Sequence, residues 1–432
     1  MTDSIFSFSQ TGRFKRLFKE SFWIAAGQAI AVVGSLIGVK YLTELLNPVE
    51  YGELALAMTL AALVSQTLLS PLSAGATRFY SLALEKNTLK SYFEAIAKLS
   101  LIAGMAVIVF SLIVTVILAS YGQTKWAWIT FCAFIFSILS GYNAILNGIQ
   151  QAARQRLIVS FHQGLDTWGR FVIAIILMLW LGATSTIALI GYVFGAMLVL
   201  VSQFIFIGKI LAKNDISQKK ELWGKKVWEY SWPFCFWGIF TWAQLASDRW
   251  ALEIYSSTKD VGFYAILFQI GYFPMSMVTG VITELLTPIF FQRSGDASDA
   301  RRNSDVRKMS LYLTLTSLLI TSVAFLITYV FHEIIFKILV AKEYHSISYL
   351  LPWMTLTGGI FAAGQTMALK LMSQMKTQIM LLPKIITAIT GVGLNFIGAY
   401  LWGLEGVIIS GILYSLSYLA WMCILSKHKI NT

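Results

Sequence analysis

LIVSFHQGLDTWGRFVIAIILMLWL (157–181) has the length and apolarity of a bilayer span, yet it carries Asp166 and Arg170 near its middle. A helix crossing hydrocarbon needs about 20 mostly apolar residues. One charged side chain at its centre costs about 2.5–3.5 kcal/mol on insertion scales. A span that keeps both charges therefore turns them toward a protein interior or a wet cavity. The fold class follows from the first property and the question of function from the second.

The rest of the chain repeats the pattern. Of its 432 residues 57% are hydrophobic and 12% charged, whereas soluble domains carry about 25% charged residues. Twelve apolar stretches are spaced along it, at 22–45, 51–76, 97–119, 127–149, 157–181, 185–208, 230–252, 261–290, 309–331, 346–371, 379–401 and 405–426. They are long continuous runs rather than short alternating segments, which predicts an all-α polytopic membrane protein of twelve transmembrane helices and excludes a barrel. The first run is too long for a signal-peptide core and no small-residue cleavage site follows it. Cys132, Cys235 and Cys423 all lie inside spans and read as small packing residues.

The net charge of +12 follows membrane topology. With the N-terminus inside, 23 of the 33 basic residues fall on the cytoplasmic side and only Lys125, Lys259, Lys337 and Lys342 in outer loops. This bias predicts that both termini are inside. It also accounts for the basicity without nucleic acid.

The polar stretch KILAKNDISQKKELWGKKVWEY (209–230) divides the spans six and six. The predicted organisation is an N-terminal six-helix lobe (1–208), a basic cytoplasmic linker (209–229) and a C-terminal six-helix lobe (230–432). An even number of spans per half gives both halves one orientation, as in a parallel repeat. NPVEYGELALA (47–57) and TKDVGFYAILF (258–268) align Gly52 with Gly262 and Ala55 with Ala265. Six prolines lie within spans (Pro71, Pro233, Pro274, Pro288, Pro352 and Pro383) and are expected to kink helices that bend, or to be ordinary irregularities.

Six cations remain within spans: Lys40, Arg78, Arg170, Arg249, Lys370 and Lys384, with Asp166, Asp248 and Glu284 as their acids. Lys40, Asp248 and Arg249 sit toward the outer side; Arg78, Glu284, Lys370 and Lys384 sit toward the inner side. Facing one cavity, the cations would form a ladder suited to an anionic ligand. Each has a plainer alternative. Arg78, Lys370 and Lys384 can snorkel to headgroups. Asp166 and Arg170, four apart on one face, can be a structural pair. Asp248 and Arg249, being adjacent, are expected to find separate partners. Deep aromatics (Trp168, Trp237, Trp242, Tyr142, Tyr272) and amides such as Asn143, Gln365 and Asn395 would suit sugar rings, or serve helix packing. No phosphate-binding loop, H-E-x-x-H or G-x-S-x-G motif is present, and the four histidines are scattered, so transport is the better reading than catalysis.

KYLTELLNPVEYGELALAMTL (40–60), GATRFYSLAL (75–84) and YSWPFCFWGIFTWAQLASDRWALEIYSSTKDVGFYAILFQI (230–270) resemble the polysaccharide-export flippases of the Wzx type, in the multidrug/oligosaccharidyl-lipid/polysaccharide exporter superfamily. The resemblance implies two lobes around a central cavity working by alternating access. It implies a polyprenyl-diphosphate-linked oligosaccharide as substrate, moved from the inner to the outer leaflet of a bacterial cytoplasmic membrane for O-antigen-like polysaccharide. It implies no cofactor beyond a proton or sodium gradient. Its partners would be membrane lipids, a polysaccharide polymerase and a chain-length regulator. Asp248 and Arg249 match its D-R piece, Gly262 and Tyr264 its V-G-x-Y piece, and Arg78 a basic position after the second span. A multidrug antiporter would prefer an acidic cavity, a lipid II flippase usually has fourteen spans, and a ligase or glycosyltransferase usually carries a large outer loop.

Overall fold

A computed structural model describes residues 26–213, 221–294, 299–373 and 378–427. The helices are α1 (Ala26–Leu45), α2 (Pro48–Val64), α3 (Ser70–Glu85), α4 (Leu89–Ser120), α5 (Thr124–Ala152), α6 (Arg156–Leu181) and α7 (Ser185–Lys213). They continue with α8 (Trp223–Tyr255), α9 (Thr258–Leu267), α10 (Phe273–Ser294), α11 (Ala300–Leu339), α12 (Leu351–Ser373) and α13 (Leu381–Lys427). No strand occurs among the described residues. Nine helices, counting runs that continue through a wide turn as one, are long and apolar enough to cross a membrane among the described residues. The expected spans at 230–252 and 346–371 are helical but fall outside those nine, because Trp, Gln, Thr and Gly dilute their apolarity. The expected spans 379–401 and 405–426 form one run bent at Gly403, which has φ 57° and ψ −129°.

Local sequence sets the ends of these helices. Asn47 Oδ1 accepts from the amides of Val49 and Glu50, each at 3.0 Å, with Pro48 at the first helical position of α2. Asp299 caps α11 through the amides of Arg301 and Arg302. Short turns between antiparallel helices use a left-handed residue: Asn87, Gly122, Arg154 and Gly182. Pro71 and Pro274 closely follow the π-turns Ser65–Leu69 and Phe268–Tyr272, and Pro352 and Pro383 follow 3-10 turns, so the winding of each helical run changes where a proline removes an N–H. Pro233 lies inside α8. Wide π-turns, Ser65–Leu69 and Phe268–Tyr272, join α2 to α3 and α9 to α10.

The chain divides into two compact units. One comprises residues up to Gly38, Ala61–Trp180 and Thr186–Gly238; the other comprises Val39–Leu60, Leu181–Ser185 and Ile239 onward. α4 presents Leu101, Met105, Val109 and Val116, and α11 presents Leu315, Leu319, Leu326 and Val330, all more than half exposed. Rows of this kind face lipid.

In the first unit, Trp223 is fully buried among Tyr92, Ile149 and Val227, and its indole donates to Thr88 Oγ1 at 3.2 Å. α8 begins at this tryptophan, so 223–229 is helix rather than linker. Glu221 accepts from Lys86 at 2.9 Å and Lys226 at 3.0 Å. Those hydrogen bonds hold its carboxyl below the usual glutamate range.

In the second unit, α2 and α9 cross where neither has a side chain. A Cβ on Gly52 would fall 2.0 Å from the Thr258 carbonyl oxygen, and one on Gly262 would fall 2.1 Å from that of Pro48. The approach is reciprocal, and it joins the two stretches whose sequences align. Near it, Ser185 donates its amide to Glu50 and its hydroxyl to Glu53, both at 2.6 Å, and Tyr344 donates to the Leu46 carbonyl at 2.9 Å.

Gly262→Ala must displace backbone, and overpacking of this kind costs about 1–3 kcal/mol. The expected outcome is a lower melting temperature in detergent, while Gly280→Ala, with open space around it, melts like the wild type. A second expectation concerns pH. Because folding lowers the Glu221 pKa, its latch is complete above the ordinary glutamate range and is lost as pH falls through the lowered value. Hydrogen exchange of residues 221–230, corrected for intrinsic rates, should show protection falling in acid, and Glu221→Gln should show the low protection already at neutral pH.

Candidate functional site

Asp248 and Arg249 stand on α8, in the second unit. They were expected to take separate partners, but the long arginine chain folds back. Arg249 Nη1 lies 3.2 Å from Asp248 Oδ1 and donates to the Leu245 carbonyl at 3.0 Å. The Arg249 amide donates to the same carboxylate oxygen at 2.7 Å, and the Tyr264 hydroxyl donates to Oδ2 at 2.6 Å. Both side chains are largely buried, 8% exposed for Asp248 and 13% for Arg249. Three donors on one buried carboxylate satisfy it as a charge.

The guanidinium is seated on aromatic faces, 5.5 Å from the Tyr264 centroid and 4.8 Å from that of Phe268. Phe268 stacks on Tyr272 at 4.6 Å, and Phe361 packs against Tyr272 and Tyr414. Beside them a void of about 10 Å³, room for about one water, is lined by Asp248, Tyr264, Tyr272, Thr357, Asn395 and Tyr414 among others. Nη1 is the one guanidinium nitrogen with an acceptor among the described residues. Nε and Nη2 have no acceptor among the described residues.

The first unit holds Asp166 and Arg170 on α6. They share a helix face, but no ion pair within 4 Å joins them among the described residues. Arg170 turns instead to the rings of Phe171, at 5.3 Å, and Tyr192 on α7, at 5.4 Å. α7 comes close enough because Gly195 packs on the α6 backbone, where a Cβ would lie 2.7 Å from the Arg170 Cα. Arg170 Nε is buried without an acceptor. One turn earlier, His162 is fully buried, with Nε2 3.1 Å from Ser202 Oγ.

The remaining candidates divide by what they already bind. Lys40 pairs with Glu44 at 3.1 Å and reaches the Val340 carbonyl at the end of α11, at 3.3 Å. Lys370 is buried and donates to the Ser426 carbonyl in the last turn of α13 at 2.5 Å. Lys384 is half-buried and also engaged. Arg78, in the first unit, is exposed. Glu284 lies on α10, outside the residues whose side chains are described.

Trp168, Trp242 and Tyr142 donate to the carbonyls of Ile30, Thr59 and Ser100, and so serve packing. Asn143 and Asn395 are used likewise, on the Ala196 carbonyl and Ser247. Among the described residues no cluster of three His, Cys, Asp or Glu could hold a metal. The sequence reading missed Phe268, Phe361, Tyr192, Tyr414, Glu50 and Glu53. The spacing of Tyr264, Phe268 and Tyr272 by fours was the available signal for an aromatic stripe.

The fold has counterparts among solved membrane proteins. The chain aligns with the lipid II flippase MurJ in an inward closed conformation, with a TM-score of 0.69 and 12% identity over 95% of this chain and 88% of that one. It also aligns with an outward-facing multidrug resistance MATE family transporter of the MOP superfamily, at 0.64 and 16% over 95% and 94%, and with an inward-facing one, at 0.61 and 15% over 93% and 94%. At these identities the likeness is one of fold. No curated protein sequence matches the chain. The profile of the polysaccharide biosynthesis proteins matches residues 17–294, and the chain belongs to that family. It is a multi-pass membrane protein.

Removing one side of the Asp248 arrangement should be worse than removing both. Tyr264→Phe leaves Oδ2 without its donor and is expected to cost about 1–3 kcal/mol. Arg249→Ala leaves a buried carboxylate with its charge partner gone, at about 3–5 kcal/mol. The double variant Asp248→Asn with Arg249→Gln should melt closer to the wild type than Arg249→Ala does, in thermal unfolding of detergent-purified protein.

Proposed function

We propose that this protein is a flippase that carries a polyprenyl-diphosphate-linked oligosaccharide from the inner to the outer leaflet of the bacterial cytoplasmic membrane by alternating access. The observation that carries the reading is Arg249, held on aromatic rings with two guanidinium nitrogens still free to donate. A diphosphate cannot enter hydrocarbon bare; it needs cations already stripped of water and paired loosely enough to exchange. Arg170, seated on Phe171 and Tyr192 with a buried unpartnered Nε, has the same character. Membership of the polysaccharide biosynthesis family supports the lipid-linked sugar as the class of cargo. Arg78 is the cation assigned to first capture.

Both termini and the 209–229 stretch are assigned to the cytoplasm. A proton or sodium gradient is assigned as the driving force, with Asp166 as a coupling acid. The polymerase and chain-length regulator of surface polysaccharide act on the product.

A second reading, a multidrug antiporter, takes support from the fold shared with MATE transporters. It asks for a cavity of negative charge, whereas Asp248 here is paired with Arg249.

Arg249→Ala and Arg170→Ala are expected to lower surface-glycan export at least about tenfold, by loss of a charge-assisted contact, while protein still accumulates in the membrane. Normal export from both would overturn the assignment. Membrane-impermeant thiol labelling of intact cells should reach Ser257→Cys and miss Lys90→Cys; the opposite pattern would reverse the orientation.

A further inference from the structure

In the first unit a groove of about 440 Å³ runs between α1 and the start of α6. Gly27 and Ile30 of α1, Leu157, Ser160 and Phe161 of α6, and Phe206 of α7 line it. Its surface is almost wholly apolar. Its floor is fixed, because α1 meets α6 closely enough that a Cβ on Gly27 would fall 2.8 Å from that of Ser160. Ile30, Leu157 and Phe161 are about half exposed, so the groove opens sideways.

Two arginines precede the lining residue Leu157 in sequence. Arg156 opens α6, one helical turn before Ser160, and its Nε is buried with no acceptor. Two residues earlier, exposed Arg154 takes the left-handed turn position with φ 58°, where glycine would fit without strain. The first-turn amides of a helix have no acceptor within it, and they make its N-terminus an anion site. An apolar channel beside two arginines at the start of α6 complements a single apolar chain that ends in several negative charges. A phosphodiester, with a single negative charge, would leave that end undercompensated.

We infer that this groove is the inner-leaflet loading site for the lipid-linked diphosphate, with the isoprenoid chain in the channel and the diphosphate on Arg156 and Arg154. The assignment rests on the flippase reading above and adds a place for the tail. Ser160 then lies where the chain turns from charged head to apolar tail.

The test uses full-length protein in detergent, with radiolabelled farnesyl diphosphate as probe and with inorganic diphosphate and phosphatidylglycerol as competitors. Wild type is expected to bind the probe saturably. Arg156→Gln removes a charge-assisted hydrogen bond and is expected to weaken binding about tenfold. Leu157→Trp fills the channel from an exposed position and should weaken it comparably, while both variants melt like the wild type. Unchanged affinity in both variants would overturn the site. So would competition by phosphatidylglycerol at equal concentration, which marks a resident-lipid groove, or competition by inorganic diphosphate as strong as by the probe. If the groove variants bind normally while Arg170→Ala and Arg249→Ala abolish flipping in vesicles, the flippase reading stands and the groove fails. If the variants lose the probe but the wild type flips no lipid-linked glycan, the site stands and the function fails.

Discussion

Two backbones touch at Gly52 and Gly262 with no space for a Cβ on either. Much of the second unit is positioned by that contact. It fixes the start of α9, and Tyr264 follows two residues later, which is how its hydroxyl reaches Asp248. It fixes the start of α2, which places Glu50 and Glu53 around Ser185. An α9 displaced by the width of a methyl group would take the tyrosine out of hydrogen-bond range and leave a buried carboxylate short of a donor. The polar centre therefore depends on a packing contact made only by backbone.

The deep cations follow two regimes. Lys40 and Lys370 finish helices: their ammonium groups meet carbonyls at the ends of α11 and α13. Arg170 and Arg249 rest on ring faces, which attract a cation without consuming its hydrogen-bond donors. The difference suits the two side chains. A lysine ammonium is a compact point charge, while a guanidinium is a flat fork that stacks with one face and donates from its edge. A transporter that hands an anion along needs the second kind.

The helical class was legible from apolar run lengths, and the approximate place of most helices with it. Their ends were not: α3 continues to Glu85 through a π-turn that no residue pattern announces, and α8 starts at Trp223 inside a polar stretch. The prolines show why. Composition places them within spans, but whether a proline bends a helix or begins one depends on the turn before it. For the candidate site, depth in a span singled out Arg170 and Arg249. Partnership was harder, because it depends on which helix comes close. Spacing by four suggested Asp166 for Arg170, and α7 brought Tyr192 instead, across Gly195. Adjacency suggested that Asp248 and Arg249 diverge, and side-chain length let them meet.

α11 has one further consequence. At 1.5 Å per residue its 40 residues extend about 60 Å, twice the hydrocarbon thickness of about 30 Å. The uncharged part, 309–331, spans about 35 Å, and its lipid-facing row is unbroken. Such a helix must lean, or draw a thicker bilayer around it. The protein thus carries a built-in gauge of membrane thickness, and lipid chain length becomes a variable that its working environment can tune.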